Sequence, residues 1–270
     1  MAAPSRALVI AVVPLICALA ISGCAAAHAR PLVPDRFVSL NGHSLRLHFA
    51  NAQASVVRPL LIYATGDGGM RRKDLDTYRH LVSWGYPVVG FDARDYVKHL
   101  GRGSDTTTPE RLAADYARII DSARETLGID ARHPVVLIGV SRGAGLSVIA
   151  AGELRQVIAG VVAVALTQEE EYVRWYRRLR VVREPRRAVM VDVYEYLAQL
   201  GDLPLAVIQS TRDQYLPAAK ARALFGPDTQ RRWLQPIDAQ NHNFRGARSR
   251  MYSAIQAALI WVTAPPKLPD

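Results

Sequence analysis

Cysteine is almost missing from this chain of 270 residues: there are two, Cys17 and Cys24, both near the start. A disulfide framework is therefore excluded for everything downstream of them. Aromatic residues make up 7% and no segment repeats, so propeller and solenoid architectures find no support. Acidic residues are in deficit, 24 against 34 Lys and Arg, and the formal charge of +10 favours anionic partners. No recognition motif accompanies that charge, so nucleic acid is not an expected partner. Nucleotide loops are missing too. Gly139, Gly143 and Gly145 do not space as G-x-G-x-x-G, and no Gly-Lys-Ser/Thr follows them. What remains is a globular composition, half hydrophobic, with the length of one α/β domain and an ample core.

The start of the chain has its own pattern. Met1–Arg6 carry one positive charge, residues 7–20 are nearly all apolar, and Ile21-Ser22-Gly23-Cys24 closes the segment. This is the pattern of a secretory signal peptide, too short and wrongly flanked for a spanning helix. The closing tetrapeptide resembles a lipobox. The expectation is a lipoprotein-type signal at residues 1–23, lipidation of Cys24, and an exported, periplasmic protein anchored in a membrane. Cleavage after Ala27-His28-Ala29 would instead leave it soluble in the periplasm. One acyl chain together with a basic surface would hold the protein on an anionic membrane.

Residues 24–36 read as a tether. Alternation through Phe37, Val38 and Leu40, then Leu45, Leu47 and Phe49, on either side of Asn41-Gly42, predicts a β-hairpin. Continuous apolar runs follow at 59–65, 87–91, 134–139, 158–166 and 205–209, with a weaker one at 233–237. Helical spacing separates them at 74–84 and 109–127, and a helix closes the chain at 251–262. Strands apolar on both faces with helices between them predict a mostly parallel sheet covered on both sides. Residues 169–201 break the alternation, with seven Arg between Arg174 and Arg187. They read as an Arg-rich cap insertion after the fourth buried strand, within a single domain over 37–264.

The strongest local signal is Gly139-Val140-Ser141-Arg142-Gly143, a G-x-S-x-G between a buried strand and a small-residue helix. That context suits a nucleophile elbow, whose sharp turn requires small flanking residues and exposes the serine. In α/β-hydrolases the acid and then the histidine follow the serine. Of seven histidines only His242 does so, in the polar loop Gln240–Phe244. Asp213, after the strand at 205–209, is the candidate acid that would orient it. Glu169–Glu171, Asp192 and Asp238 are alternatives. The oxyanion would be met by the N–H of Arg142 and by the loop Gly66-Asp67-Gly68-Gly69, where Asp67 could also orient the loop or hold a substrate amine. This chemistry calls for no cofactor and no metal.

Several of these segments together resemble the bacterial virulence protein VirJ (VirJ/AcvB) family of α/β-hydrolases. The features are Gly66-Asp67-Gly68-Gly69, Asp74-Leu75-Asp76, Trp84–Gly90, Thr108–Asp115 and the elbow, spanning Leu61 to about Gly152. The resemblance implies export and an α/β-hydrolase fold. It also implies, for some members, release of the amino acid from aminoacylated phosphatidylglycerol, chiefly the lysyl form. The expected activity is that of a serine esterase with an ester substrate, which an anionic aminoacyl phospholipid would satisfy. The alternative is a non-catalytic periplasmic binding or assembly factor on the same scaffold, linked to secretion or virulence. Arg174 to Arg180 interleave cations with Trp175 and Tyr176, as an interfacial segment would.

Overall fold

The long apolar runs become the middle of an eight-stranded sheet. The computed structural model describes residues 33–40, 42–51, 57–100, 108–171 and 190–264. The signal segment expected over 1–23, the expected lipidation site Cys24 and the arginines Arg174–Arg187 lie outside the described residues. In chain order the elements are β1 (Val33–Leu40), β2 (His43–Ala50), β3 (Leu60–Ala64), α1 (Arg72–Ser83), β4 (Val88–Phe91), α2 (Ala93–Leu100), α3 (Pro109–Leu127), β5 (Val135–Val140), α4 (Arg142–Leu154) and β6 (Gly160–Val164). There follow β7 (Glu169–Glu171), β8 (Met190–Asp192), a 3-10 helix (Val193–Leu200), β9 (Leu205–Ser210), α5 (Ala218–Phe225), β10 (Arg232–Ile237) and α6 (Arg248–Val262).

The sheet order is β1-β2-β4-β3-β5-β6-β9-β10, with every pair from β4 to β10 parallel and the β1–β2 and β2–β4 pairs antiparallel. Because side chains alternate across a strand, each buried run serves two cores. Leu60, Ile62, Leu137, Ala163 and Val207 face α2 to α5, whereas Leu61, Tyr63, Ile138, Val162 and Ile208 face α1 and α6. Full burial of such a side chain contributes about 1.5–3 kcal/mol, so both faces must be apolar. This is the α/β-hydrolase fold, with its mostly parallel sheet and helices on both faces.

Helix α3 shows how local signals set boundaries. The Thr108 hydroxyl accepts from Arg111 N–H, Pro109 takes the first turn, and Gly128 ends the helix in the left-handed region (φ 64°). At the start of β1 the structure corrects the tether expected over 24–36: Val33–Arg36 are strand. Val33 pairs with Phe49 and Arg36 with Leu47 across a bulge, and Asp35 binds Arg46 and His48 of β2. Pro34 is tolerated because β1 is the edge strand. Within the insertion expected over 169–201 lie β7, β8 and the 3-10 helix, and the antiparallel pairing of β7 with β8 sets Glu171 beside Met190.

Candidate active site

Among the described residues, each predicted catalytic or oxyanion residue lies beyond the carboxyl end of a sheet strand. Gly66 follows β3, Ser141 follows β5, Asp213 follows β9 and His242 follows β10. Loops at this edge are held by a rigid scaffold and face one cleft of about 880 Å³, bordered by Ser141, His242, Gly66, Asp67 and Gly68 among others. A recess of about 430 Å³ lies at the opposite, amino ends of the strands, with Arg231 its one ionisable lining residue among those described.

The turn at Ser141 is sharp in the sense the pentapeptide implies. Ser141 adopts φ 51° and ψ −117°, a conformation costing roughly 1–3 kcal/mol that a surrounding structure must enforce. Ser141 N–H donates to Val164 C=O (2.8 Å) and Gly143 N–H to Thr65 C=O (3.1 Å), which ties the elbow to both neighbouring strands. The flanking glycines are sterically required. A Cβ on Gly139 would overlap the Gly143 carbonyl, and one on Gly143 would overlap the Ala64 carbonyl. Gly143→Ala is accordingly expected to destabilise the fold by about 3 kcal/mol. Urea unfolding would read this as a lower midpoint at unchanged slope. A loss below about 1 kcal/mol would show that the backbone yields easily there, contrary to the close approach.

Three side chains from these loops form one hydrogen-bonded chain. His242 Nε2 lies 2.8 Å from Ser141 Oγ, and His242 Nδ1 lies 2.6 Å from Asp213 Oδ2. Asp213 is 1% exposed, and its carboxylate also accepts from Tyr215 N–H, Leu216 N–H and the Gln209 amide. These three and His242 fix its orientation from four sides. His242 is held in turn by its own N–H on Gln214 Oε1 (3.1 Å) and by the edge-on ring of Tyr215 at 4.9 Å. Two of the alternative carboxylates are engaged elsewhere. Asp192 caps the 3-10 helix and accepts from Gln168, and Asp238 pairs with Arg212 and Thr211. Glu169 borders the cleft.

The glycine loop divides its labour in a way its sequence conceals. Gly66 N–H donates to Asp74 Oδ1 (2.9 Å), and Gly69 N–H donates to the Gly66 carbonyl (3.0 Å), so these two donors are spent within the loop. Gly68 borders the cleft, whereas Gly69 packs on Asp92. Asp74 is a functional position that sequence reasoning gave no role. Burial lifts its carboxyl above the ordinary aspartate value, opposed by the bonds from Gly66 N–H and the Tyr63 hydroxyl. The Tyr63 hydroxyl is itself pushed well up by burial and by Asp74. The second unforeseen contact joins loop to elbow: the Arg142 guanidinium, 7% exposed, pairs with Asp67 through Nε on Oδ1 and Nη2 on Oδ2. The Asp67 carboxylate is thus turned onto Arg142.

Solved structures share this architecture. Est1E from Butyrivibrio proteoclasticus superposes with a TM-score of 0.62 at 12% identity, over 86% of this chain and 99% of its own; a further structure of Est1E holds ferulic acid. The Pyrococcus furiosus esterase Pf2001 gives 0.58 at 15% identity, over 84% and 91%. An alpha-beta serine hydrolase homologue from Coxiella burnetii gives 0.54 at 17% identity, over 85% and 95%. At such identities the likeness is one of fold. No curated protein shows significant sequence similarity to this chain. Residues 59–173 match the family described as bacterial virulence protein (VirJ), a stretch holding the glycine loop and the elbow and ending before Asp213 and His242. The chain thus has the α/β-hydrolase fold of esterases and, across residues 59–173, is a match to the VirJ family.

Proposed function

We propose that this protein is a serine hydrolase of carboxylic esters working through an acyl-enzyme. The single observation that carries the reading is the unbroken relay from Ser141 Oγ through both ring nitrogens of His242 to Asp213. Ser141 Oγ attacks the ester carbonyl while His242 Nε2 takes its proton, and Asp213 holds the tautomer and stabilises the imidazolium. The developing oxyanion meets the backbone N–H of Arg142 and of the loop after Gly66. Collapse of the tetrahedral intermediate returns the proton from His242 to the leaving alcohol, and water then repeats the sequence to free the acid. The ferulic acid held by Est1E, a carboxylic acid on a related fold, supports the ester class.

The finer reading is an exported enzyme, anchored through Cys24, that removes the lysyl group from lysyl-phosphatidylglycerol. It rests on the signal-peptide pattern ending in Ile21-Ser22-Gly23-Cys24 and on what the resemblance of the sequence to the VirJ family implies. With Asp67 turned onto Arg142, the carboxylate on the cleft for a substrate amine is that of Glu169.

The test incubates the purified protein with a fluorophosphonate probe, with short p-nitrophenyl esters and with lysyl-phosphatidylglycerol vesicles. Covalent labelling at Ser141 with release of both nitrophenol and free lysine is expected. Nitrophenol without lysine would retain the esterase and discard the lipid. An unlabelled serine with neither product would sink the hydrolase reading in favour of a binding or assembly role.

A further inference from the structure

The cleft beside Ser141 is unevenly charged. Its carboxylates are Asp67, Asp74 and Glu169, and two of them are already engaged: Asp67 by Arg142, Asp74 by Gly66 N–H and the Tyr63 hydroxyl. Against them stand Arg71, Arg72, Lys73, Arg94 and Arg248, which border the same cleft. Among the described residues none of these five forms an ion pair with a carboxylate.

Their placement in the fold is one-sided. Arg71–Lys73 follow β3 and Arg94 follows β4, so both lie on the same side of β5, the strand that delivers Ser141. Arg248 opens α6 and joins this group; its Nη2 donates to the Lys73 carbonyl at 3.3 Å and to the Tyr252 hydroxyl, and its charge also acts on Asp74. Glu169 comes after β6, on the other side of the nucleophile. Helix stability does not account for the pattern. The cations sit at the starts of α1, α2 and α6, the positive ends of those helices, where a cation is unfavourable. Arg72 is moreover held at φ 44°, a left-handed conformation that a non-glycine residue adopts only under constraint. Neighbouring cations with no carboxylate ion pair repel one another, and an anion in the cleft relieves that repulsion. A carboxylate has two oxygens to offer donors arriving from three elements. A phosphate offers more, in a tetrahedral array that guanidinium forks match.

We propose that Arg71, Arg72, Lys73, Arg94 and Arg248 form an anion subsite that receives a phosphate group carried by the ester substrate of Ser141. The inference rests on the hydrolase reading for its substrate, and the phosphate could belong to a lipid headgroup or to a soluble phosphate ester.

The test compares the butyryl esters of glycerol and of glycerol 3-phosphate, which share an acyl group. The phosphate ester is expected to show a kcat/KM about tenfold higher at low ionic strength, with the preference fading as salt rises. Arg71→Gln/Arg72→Gln/Lys73→Gln should bring the ratio close to one by raising KM for the phosphate ester at similar kcat. Arg94→Gln, on a different element, should move it in the same direction, with thermal midpoints reporting that both variants are folded. Equal kcat/KM for the two esters, or a preference that both variants keep, overturns the subsite.

Binding is read separately by titrating the Ser141→Ala chain with glycerol 3-phosphate and with glycerol. If the protein hydrolyses neither ester but binds glycerol 3-phosphate, and the triple variant loses that binding, the subsite stands and the hydrolase reading falls. Hydrolysis of both esters without phosphate binding has the opposite meaning. Displacement of bound glycerol 3-phosphate by phosphatidylglycerol vesicles, against phosphatidylcholine controls, identifies a lipid headgroup as a source of the phosphate. Binding of glycerol 3-phosphate that the vesicles do not displace identifies a soluble phosphate ester, and no binding of glycerol 3-phosphate overturns the subsite.

Discussion

Ser141→Ala is expected to lower kcat for p-nitrophenyl butyrate by about 10⁶-fold, down to a residual rate still above that of water. The residual reflects the oxyanion donors and substrate binding, which the substitution leaves in place. The hydroxyl's hydrogen bond is with His242 Nε2, and alanine tolerates φ 51° no worse than serine does. The thermal midpoint should therefore stay within a few degrees of the wild type while turnover disappears. Steady-state kinetics with melting on the same preparation checks both halves. A variant that melts normally and keeps a tenth of the activity would show that another group attacks the ester.

Asp213→Asn is expected to lower kcat by on the order of 10⁴-fold. The reason is the direction of the hydrogen bonds. Asp213 Oδ1 serves the N–H groups of Tyr215 and Leu216, a role the asparagine oxygen can keep. That orientation puts the new NH₂ where Oδ2 now meets His242 Nδ1. Nδ1 must then be the acceptor, the ring proton moves to Nε2, and the imidazole can no longer take a proton from Ser141. Gln209 is affected as well, since its amide donates to the same Oδ2 and to the Leu216 carbonyl. Two NH₂ groups would face each other, adding a loss of stability of about 1–3 kcal/mol. The fluorophosphonate labelling rate should fall with kcat. If labelling and turnover both persist near wild-type rates, Asp213 does not set the tautomer.

What could be read from the chain followed from constraints that act locally. Strands β3, β5, β6 and β9 are legible because burial on both faces leaves an unbroken apolar run. The ends of α3 are legible because Thr108, Pro109 and Gly128 have backbone reasons to be there. The elbow is legible because a turn of that curvature excludes a Cβ at two fixed positions. Helix α2 was missed, being only eight residues long, with Tyr96 and Val97 too few to show a period. The Arg142–Asp67 pair and the Gly66–Asp74 bond were illegible for a different reason. Each depends on where two loops meet, and neither loop carries a pattern that names its partner. Gln209 was overlooked because a polar residue ending an apolar run reads as the strand's edge, whereas here it is fully buried beneath Asp213.

The separations along the chain between the residues of the site bear on how it comes into being. Ser141 and His242 are 101 residues apart, Arg142 and Asp67 are 75, and Asp213 and His242 are 29. No hairpin or single βαβ unit holds more than part of the site, and closing contacts of that span is slow because the chain entropy is spent before the contacts reward it. The relay from Ser141 to Asp213 is therefore completed at the end of folding, when β10 has docked and carried His242 back over β9. In a refolding experiment, regain of the proposed esterase activity would lag the return of helical signal, making that activity a reporter of the completed sheet.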